Sequence, residues 1–296
     1  MVTTAGPVTS PSEVTDRHTK AVWRGTLGAM GRVSVDGDEF GGHTLLLDGH
    51  PQSYVVLGDP ELLVFGYVQQ LAAVLDALPP GRLAVTHVGG GALTLARYVQ
   101  HTRPGSPQVV LEPDAAMTDL VRRELPLPRG HRIRVRPVDG RGGVAALADA
   151  SADVVVVDAF AGAQVPASLV STEWFRDVRR ALKPGGLVLV NTGDEPDHRH
   201  VARLHAGLAE SSPHTAAIAE ADVWKRRRHG NVVLLASDRP LPLDTVIRNV
   251  ARIPFPSTLR EGAALARALG GGQPFTDADA QPSPAPQTPP GSWRVR

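Results

Sequence analysis

Val85-Thr86-His87-Val88-Gly89-Gly90-Gly91-Ala92-Leu93-Thr94 is the stretch on which the fold turns. An apolar strand runs into three glycines and out into a helix. Glycine lets a chain turn tightly and approach a ligand closely, and the helix N-terminus that follows carries a positive partial charge. Alone the triplet is a weak sign. A dinucleotide Gly-x-Gly-x-x-Gly would need its third glycine at Thr94, and a Gly-rich turn with no ligand fits the residues as well.

Downstream the same strand-then-helix pattern repeats. Residues 83–88, 108–111, 133–137, 153–157 and 187–191 read as strands, with helices expected over 92–101, 115–125, 144–148 and 172–182. Four of the five strands are Val, Leu and Ile runs without polar alternation, as a parallel sheet covered on both faces requires. The order predicts an α/β doubly wound, Rossmann-like sheet. A helix over 201–209 and late strands over 216–219 and 231–236, antiparallel at one edge, complete it.

Upstream, residues 33–57 carry short apolar runs split by Asp36-Gly37 and Asp48-Gly49, the signature of antiparallel hairpins. Residues 61–77 have helical spacing and stop at Pro79-Pro80. The expected organisation is a disordered N-terminus over 1–18, a small β region plus helix over 19–78, the Rossmann-like domain over 79–269, and a disordered Pro-rich tail over 270–296.

Composition narrows the function. A formal charge of +1 argues against a general nucleic-acid binder, and the one dense basic run, Lys225 to His229, reads as a solvated turn before a strand. The absence of cysteine excludes disulfides, thiolate metal sites and Cys nucleophiles. No apolar run approaches the ~20 residues needed to span a bilayer, and the first residues lack a signal peptide's apolar core. The expectation is a cytoplasmic protein with neither membrane nor nucleic-acid partner. No serine stands in a Gly-x-Ser-x-Gly setting. His198 and His200 lie near Asp194, Glu195 and Asp197, but an exposed loop at a helix start is expected there rather than a metal site. His87, inside a strand, is expected to be hydrogen-bonded scaffold.

Three acids follow the glycines at successive strand ends. Glu112 closes the second strand about 20 residues on, a spacing that suits a carboxylate accepting from ribose hydroxyls. Asp139, before Gly140, ends the third strand, where an adenine amino group could donate. Asp158 ends the fourth. Each alone could be a helix N-cap. Together they point to a ligand at the carboxyl ends of the strands. NAD and an S-adenosyl compound compete, and the Gly-Gly-Gly-Ala start with Asp139 favours the second.

These residues resemble the spermidine synthase (polyamine aminopropyltransferase) family, in its spermidine synthase-like branch, from about residue 45 to 236. Leu47-Asp48-Gly49-His50-Pro51-Gln52 is similar to the family's LDG-x-x-Q segment, and Asp59 followed by Tyr67 to its D-E-F-x-Y stretch. Arg180 to Val190, through Lys183-Pro184-Gly185-Gly186, looks like the turn before the fifth strand in S-adenosylmethionine-dependent methyltransferases and their relatives. The resemblance implies that fold type, with a small N-terminal β domain. It implies a co-substrate, decarboxylated S-adenosylmethionine or S-adenosylmethionine, and no metal. It places Gln52, Gly89, Gly90, Gly91, Glu112, Asp139 and Gly140 around the nucleoside, with Asp158 catalytic and Tyr67 its helper. The partner implied is a small-molecule amine or other acceptor, and the assembly a homodimer or homotetramer. The likeness lapses at Ala92, Ala161 and Gln69, where the family carries acids. A methyltransferase with another acceptor, or an adenosyl-binding protein without turnover, stays open beside aminopropyl transfer.

Overall fold

The computed structural model describes residues 32–286; the disorder expected for 1–18, and the ends of the expected N-terminal region and tail, lie outside them. Strands β1 (Val33–Gly37), β2 (Gly42–Leu47) and β3 (His50–Val56) form a three-stranded antiparallel sheet. Asp48 and Gly49 join β2 to β3, both at positive φ (50° and 78°), the backbone of a tight two-residue hairpin turn.

The remaining elements are α1 (Gly66–Asp76), β4 (Val85–Val88), α2 (Thr94–Thr102), β5 (Gln108–Leu111), α3 (Ala115–Glu124), β6 (Ile133–Arg136), α4 (Gly140–Ala145), β7 (Ala152–Val157), α5 (Thr172–Ala181), β8 (Leu182–Asp194), α6 (Arg199–Ser211), β9 (His214–Glu220), α7 (Ala221–Trp224), β10 (Gly230–Ser237), α8 (Leu243–Val250), β11 (Ser257–Glu261) and α9 (Gly262–Leu269). The large sheet has eight strands in the order β11-β9-β10-β8-β7-β4-β5-β6. β6, β5, β4, β7 and β8 run parallel, and β10, β9 and β11 add antiparallel pairs at one edge.

The unbroken valine runs are explained by the two covered faces. In β7, Val155 and Val157 enter the apolar cluster that includes Trp174, Phe175 and Leu204. Val154 and Val156 enter the opposite cluster with Leu71, Val74 and Val99. The alternation of side chains along a strand therefore divides one sequence run between two cores. The small sheet packs Val35, Leu45 and Val55 against Ala92, Ala96, Leu120 and Val121 of the α2–α3 side.

One charged side chain sits in that packing. Arg97 is 5% exposed; its guanidinium donates to Ala92 O at 3.0 Å, to Pro126 O at 3.2 Å and to Leu125 O. It thereby closes carbonyls that would otherwise be buried without donors. Arg97→Met is expected to destabilise the chain by about 2–4 kcal/mol, read as a lower urea midpoint, because those acceptors lose their partner.

The structure corrects several expectations. α2 starts at Thr94 rather than 92, because Leu93 takes a left-handed conformation (φ 62°) and its N–H closes a turn on Gly90 O at 2.8 Å. α4 begins at Gly140 instead of 144, capped by Asp139. β8 begins at Leu182, so Lys183-Pro184-Gly185-Gly186 forms an irregularity within the strand: its pairing with β7 jumps between Ala152 and Val154. α1 packs with α8 on the large sheet instead of joining the small β region. The Lys225–His229 run, by contrast, is the exposed turn ahead of a strand that was expected, with Arg227 and Arg228 paired to Asp222 and Glu220 before β10.

The tail differs most. Residues 270–286 were expected to be disordered, yet Phe275 is 2% and Ser283 0% exposed. The reason is a set of anchors to distant residues: Asp277 takes a two-pronged ion pair from Arg141, at 2.8 and 2.6 Å, and Arg203 covers the Phe275 ring at 3.9 Å.

Candidate active site

The chain leaves β4 toward β5 and β6, then returns to the other side of β4 as β7. Strand connections diverge at that junction, and in open α/β sheets the crevice beyond such a branch point is where ligands sit. Here it is a cavity of about 240 Å³. All nine residues singled out from the sequence line it: Gln52 from the small sheet, Tyr67 from α1, Gly89, Gly90 and Gly91 after β4, Glu112 after β5, Asp139 and Gly140 at the start of α4, and Asp158 after β7.

The glycines are required by their surroundings. A Cβ on Gly89 would stand 2.2 Å from the Asp158 carbonyl oxygen, and one on Gly91 2.4 Å from Ser53 Oγ. Both residues also have positive φ, 97° and 48°, which L side chains disfavour.

Glu112 is buried, and its two oxygens accept from separate backbone donors: Oε2 from Gly90 N–H and Oε1 from Asp114 N–H, each at 2.9 Å. Burial raises its pKa, opposed by the backbone donors of Asp114, Gly90 and Gly91. The carboxylate is thus held in one orientation with lone pairs left for a diol. Asp139 stands at the exposed rim, where its Oδ1 caps α4 by accepting from Gly142 N–H at 2.8 Å; cavity wall and helix cap are the same residue. Gln52 Nε2 donates to His50 O at 3.2 Å.

Asp158 and Tyr67 line the same cavity, close enough for the Asp158 charge to act on the phenol. Burial pushes the Asp158 carboxyl up to about 6, while a hydrogen bond from Asn191 pulls the other way. Burial, and then the Asp158 charge, raise the Tyr67 phenol well above its ordinary value, so Tyr67 stays a protonated donor. The Phe65 ring stacks beside Tyr67 at 6.0 Å between centroids.

Asn191 was missed by the sequence reading. It is fully buried; its Nδ2 donates to Asp158 Oδ1 at 2.8 Å, and its own Oδ1 accepts from Asn231 Nδ2 at 2.9 Å. Asn231 therefore fixes which way the Asn191 amide points. The one signal in the sequence was a lone amide closing the apolar run Leu187-Val188-Leu189-Val190. Ser53 was missed too: its Oγ accepts from Ala92 N–H at 3.2 Å, tying the small sheet to the glycine turn.

His87 is buried scaffold at the cavity floor. Its Nε2 meets Gln108 Oε1 at 2.8 Å, while Gln108 Nε2 donates to Ala96 O at 3.0 Å. That arrangement makes His87 Nε2 the donor, and burial lowers the imidazole to about 4. Ala92 is fully buried among apolar side chains, and Gln69 donates to Leu63 O. Asp194, His198 and His200 are buried rather than on an exposed loop. Asp194 accepts from Glu195 N–H at 2.8 Å and Val201 N–H at 2.7 Å at the start of α6, and His198 packs edge-on against Trp224. Among the described residues no group of three His, Asp or Glu side chains is placed to hold a metal ion, and no helix is long and apolar enough to cross a membrane.

No protein-family model matches the chain. A polyamine aminopropyltransferase of Neisseria meningitidis is 28% identical over 193 residues, 62% of this chain and 68% of that one. The crystal structure of a probable spermidine synthase from Corynebacterium glutamicum superposes with a TM-score of 0.77 at 32% identity, over 82% of this chain and 92% of that one. A spermidine synthase in complex with the transition-state analogue AdoDATO shares the fold, with a TM-score of 0.60 at 16% identity, over 83% and 87% of the two chains. With the Corynebacterium relative matched at 32% identity over nearly its whole length, the chain belongs to the spermidine synthase (polyamine aminopropyltransferase) family.

Proposed function

We propose that this chain transfers an aminopropyl group from decarboxylated S-adenosylmethionine to a primary amine. The observation that carries the reading is a half-buried carboxylate, Asp158, held by Asn191 at the branch point of the sheet and lining the same cavity as the glycine turn and Glu112. Glu112 accepts from the ribose hydroxyls, the Gly89–Gly91 turn lets the nucleoside approach the backbone, and Asp139 with Gly140 borders the adenine.

In the reaction the amine lone pair attacks the propyl carbon bonded to the sulfonium. The new C–N bond forms as the C–S bond breaks, and its electron pair returns to sulfur, so methylthioadenosine leaves neutral. The amine's surplus proton passes to Asp158. A carboxyl group near 6 suits a proton acceptor, since it is ionised at neutral pH and yet basic enough to take a proton. Tyr67 orients the amine and Asn191 holds Asp158, and orientation supplies much of the rate for a displacement that needs no covalent intermediate.

The donor half is tested by thermal shift with methylthioadenosine, S-adenosylmethionine and NAD. Methylthioadenosine is expected to stabilise the chain and NAD is not; stabilisation by NAD alone would overturn the adenosyl reading. Glu112→Gln is expected to weaken methylthioadenosine binding about tenfold or more by calorimetry, because its amide nitrogen would face the Gly90 or Asp114 N–H and lose a charge-assisted acceptor.

A further inference from the structure

The wall of the cavity beside Asp158 is a loop, residues 159–166, whose Ala159, Phe160, Ala161 and Pro166 line the cavity. Its tip is a tight turn: Ala161 and Gln164 exchange backbone hydrogen bonds at 2.8 and 3.2 Å, with Gly162 and Ala163 between them at φ 58° and 62°. The tip is exposed, so local contacts alone leave the loop free to move.

Across the loop's return limb lies residue 283. Ser283 Oγ accepts from Val165 N–H at 2.8 Å, Ser283 N–H donates to Val165 O at 3.1 Å, and Gln164 Nε2 donates to Ser283 O. Val165 and Ser283 are both fully buried, which shields these bonds from exchange with water. The segment leading to Ser283 is held in turn. Thr172 N–H and Oγ1 donate to Phe275 O at 2.8 and 3.0 Å. Asp277 pairs with Arg141 and accepts from Ser171 Oγ, and its N–H donates to Glu173 at 3.1 Å. Arg141 directly follows Gly140 of the cavity wall. The strap thus grips two stretches of the site, one on each side.

We propose that Ser283 is a positioning residue for the transfer reaction. Through Val165 and Gln164 it fixes the loop after Asp158, so that Phe160 and Ala161 hold their place against the reacting amine. The catalytic part of this inference rests on the aminopropyl-transfer reading; the mechanical part, a strap that holds the loop, does not.

The test compares Ser283→Ala and Ser283→Thr in the full chain, with Gln164→Ala, at a half-buried position outside the core, attacking the same junction from the loop. Hydrogen exchange of the peptide covering residues 159–166 is followed beside turnover and melting temperature. Ser283→Ala and Gln164→Ala are expected to speed exchange in that peptide about tenfold with β4 and β7 unaffected. They are expected to lower kcat about tenfold, since a small misplacement of the site wall is read in the rate. A modest fall in melting temperature is expected for Ser283→Ala, which leaves the buried Val165 N–H without its acceptor. Ser283→Thr, which keeps the hydroxyl, is expected to restore exchange and turnover. Exchange at the wild-type rate in both variants overturns the proposal. So does turnover within about twofold of wild type despite a loosened loop. A wild-type chain that releases no methylthioadenosine would instead strike the transfer reading, and the exchange result would still decide whether the strap holds the loop.

Discussion

Asp158→Asn is expected to abolish aminopropyl transfer, by about a hundredfold or more in kcat, and to make the protein more stable at pH 8. The two effects have one cause. On the proposed mechanism the carboxylate in the cavity wall is the proton acceptor, and burial raises its pKa from 3.8 to about 6. The folded chain therefore binds this proton more tightly than the unfolded chain. Its stabilising share is complete below about pH 4 and is lost as pH rises through 6. Above that, the ionised group costs about 2–3 kcal/mol of stability. Asparagine has no charge to bury, and its Oδ1 can still accept from Asn191. The variant should melt higher than wild type at pH 8, and the two should converge near pH 4. In wild type, turnover should rise through about pH 6 as Asp158 ionises. Equal melting temperatures at pH 8 with undiminished turnover would remove Asp158 from both roles.

Gly89→Ala is expected to be strongly destabilising. The residue lies at φ 97°, and its added carbon would meet Asp158 O at 2.2 Å and the Asp158 carbonyl carbon at 2.8 Å. The neighbours cannot yield cheaply. Gly89 N–H donates to Leu111 O and Asp158 N–H to Val88 O, both at 2.9 Å, so relief requires parting β4 from β5 or β7. Strain and overpacking together give a loss of about 3–5 kcal/mol, with methylthioadenosine binding lost as well. Gly162→Ala is the control: φ is 58° but nothing lies within 4 Å of the added carbon, so only about 1–2 kcal/mol of backbone strain is expected. Chemical denaturation of the two variants checks the contrast; similar midpoints would show that the crowding at Gly89 is not real.

The strand-and-helix order was legible because local pattern and tertiary role agree. β5 matches the expected bounds because Val109, Val110 and Leu111 lie between two apolar layers, and the hairpin at Asp48-Gly49 is written in the conformations those residues accept. Seven of the nine cavity residues were legible because strand ends and glycine turns are marked in sequence by a change of residue type; Gln52 and Tyr67, inside β3 and α1, came only from the family resemblance. Asn191 was not, since its meaning depends on Asp158 and Asn231, which reach it only through strand pairing. The same holds for the tail. Residues 270–286 have a disorder-like composition, and their order comes from partners far away in sequence: Arg141 lies 136 residues before Asp277, and Val165 lies 118 before Ser283. α8, β11 and α9 also went unread, because they are short and take their places from packing at the antiparallel edge. Asp194 and His198 were misjudged for a related reason: a polar cluster reads as exposed until α6 and α7 are seen to cover it.

The central claim is tested most directly by incubating the full chain with decarboxylated S-adenosylmethionine and a panel of primary amines, and weighing the products by mass spectrometry. The account predicts methylthioadenosine and an amine heavier by one aminopropyl group in equal amounts, with neither formed by Asp158→Asn. Release of S-adenosylhomocysteine from S-adenosylmethionine, with a methylated acceptor and no aminopropyl product, would contradict it.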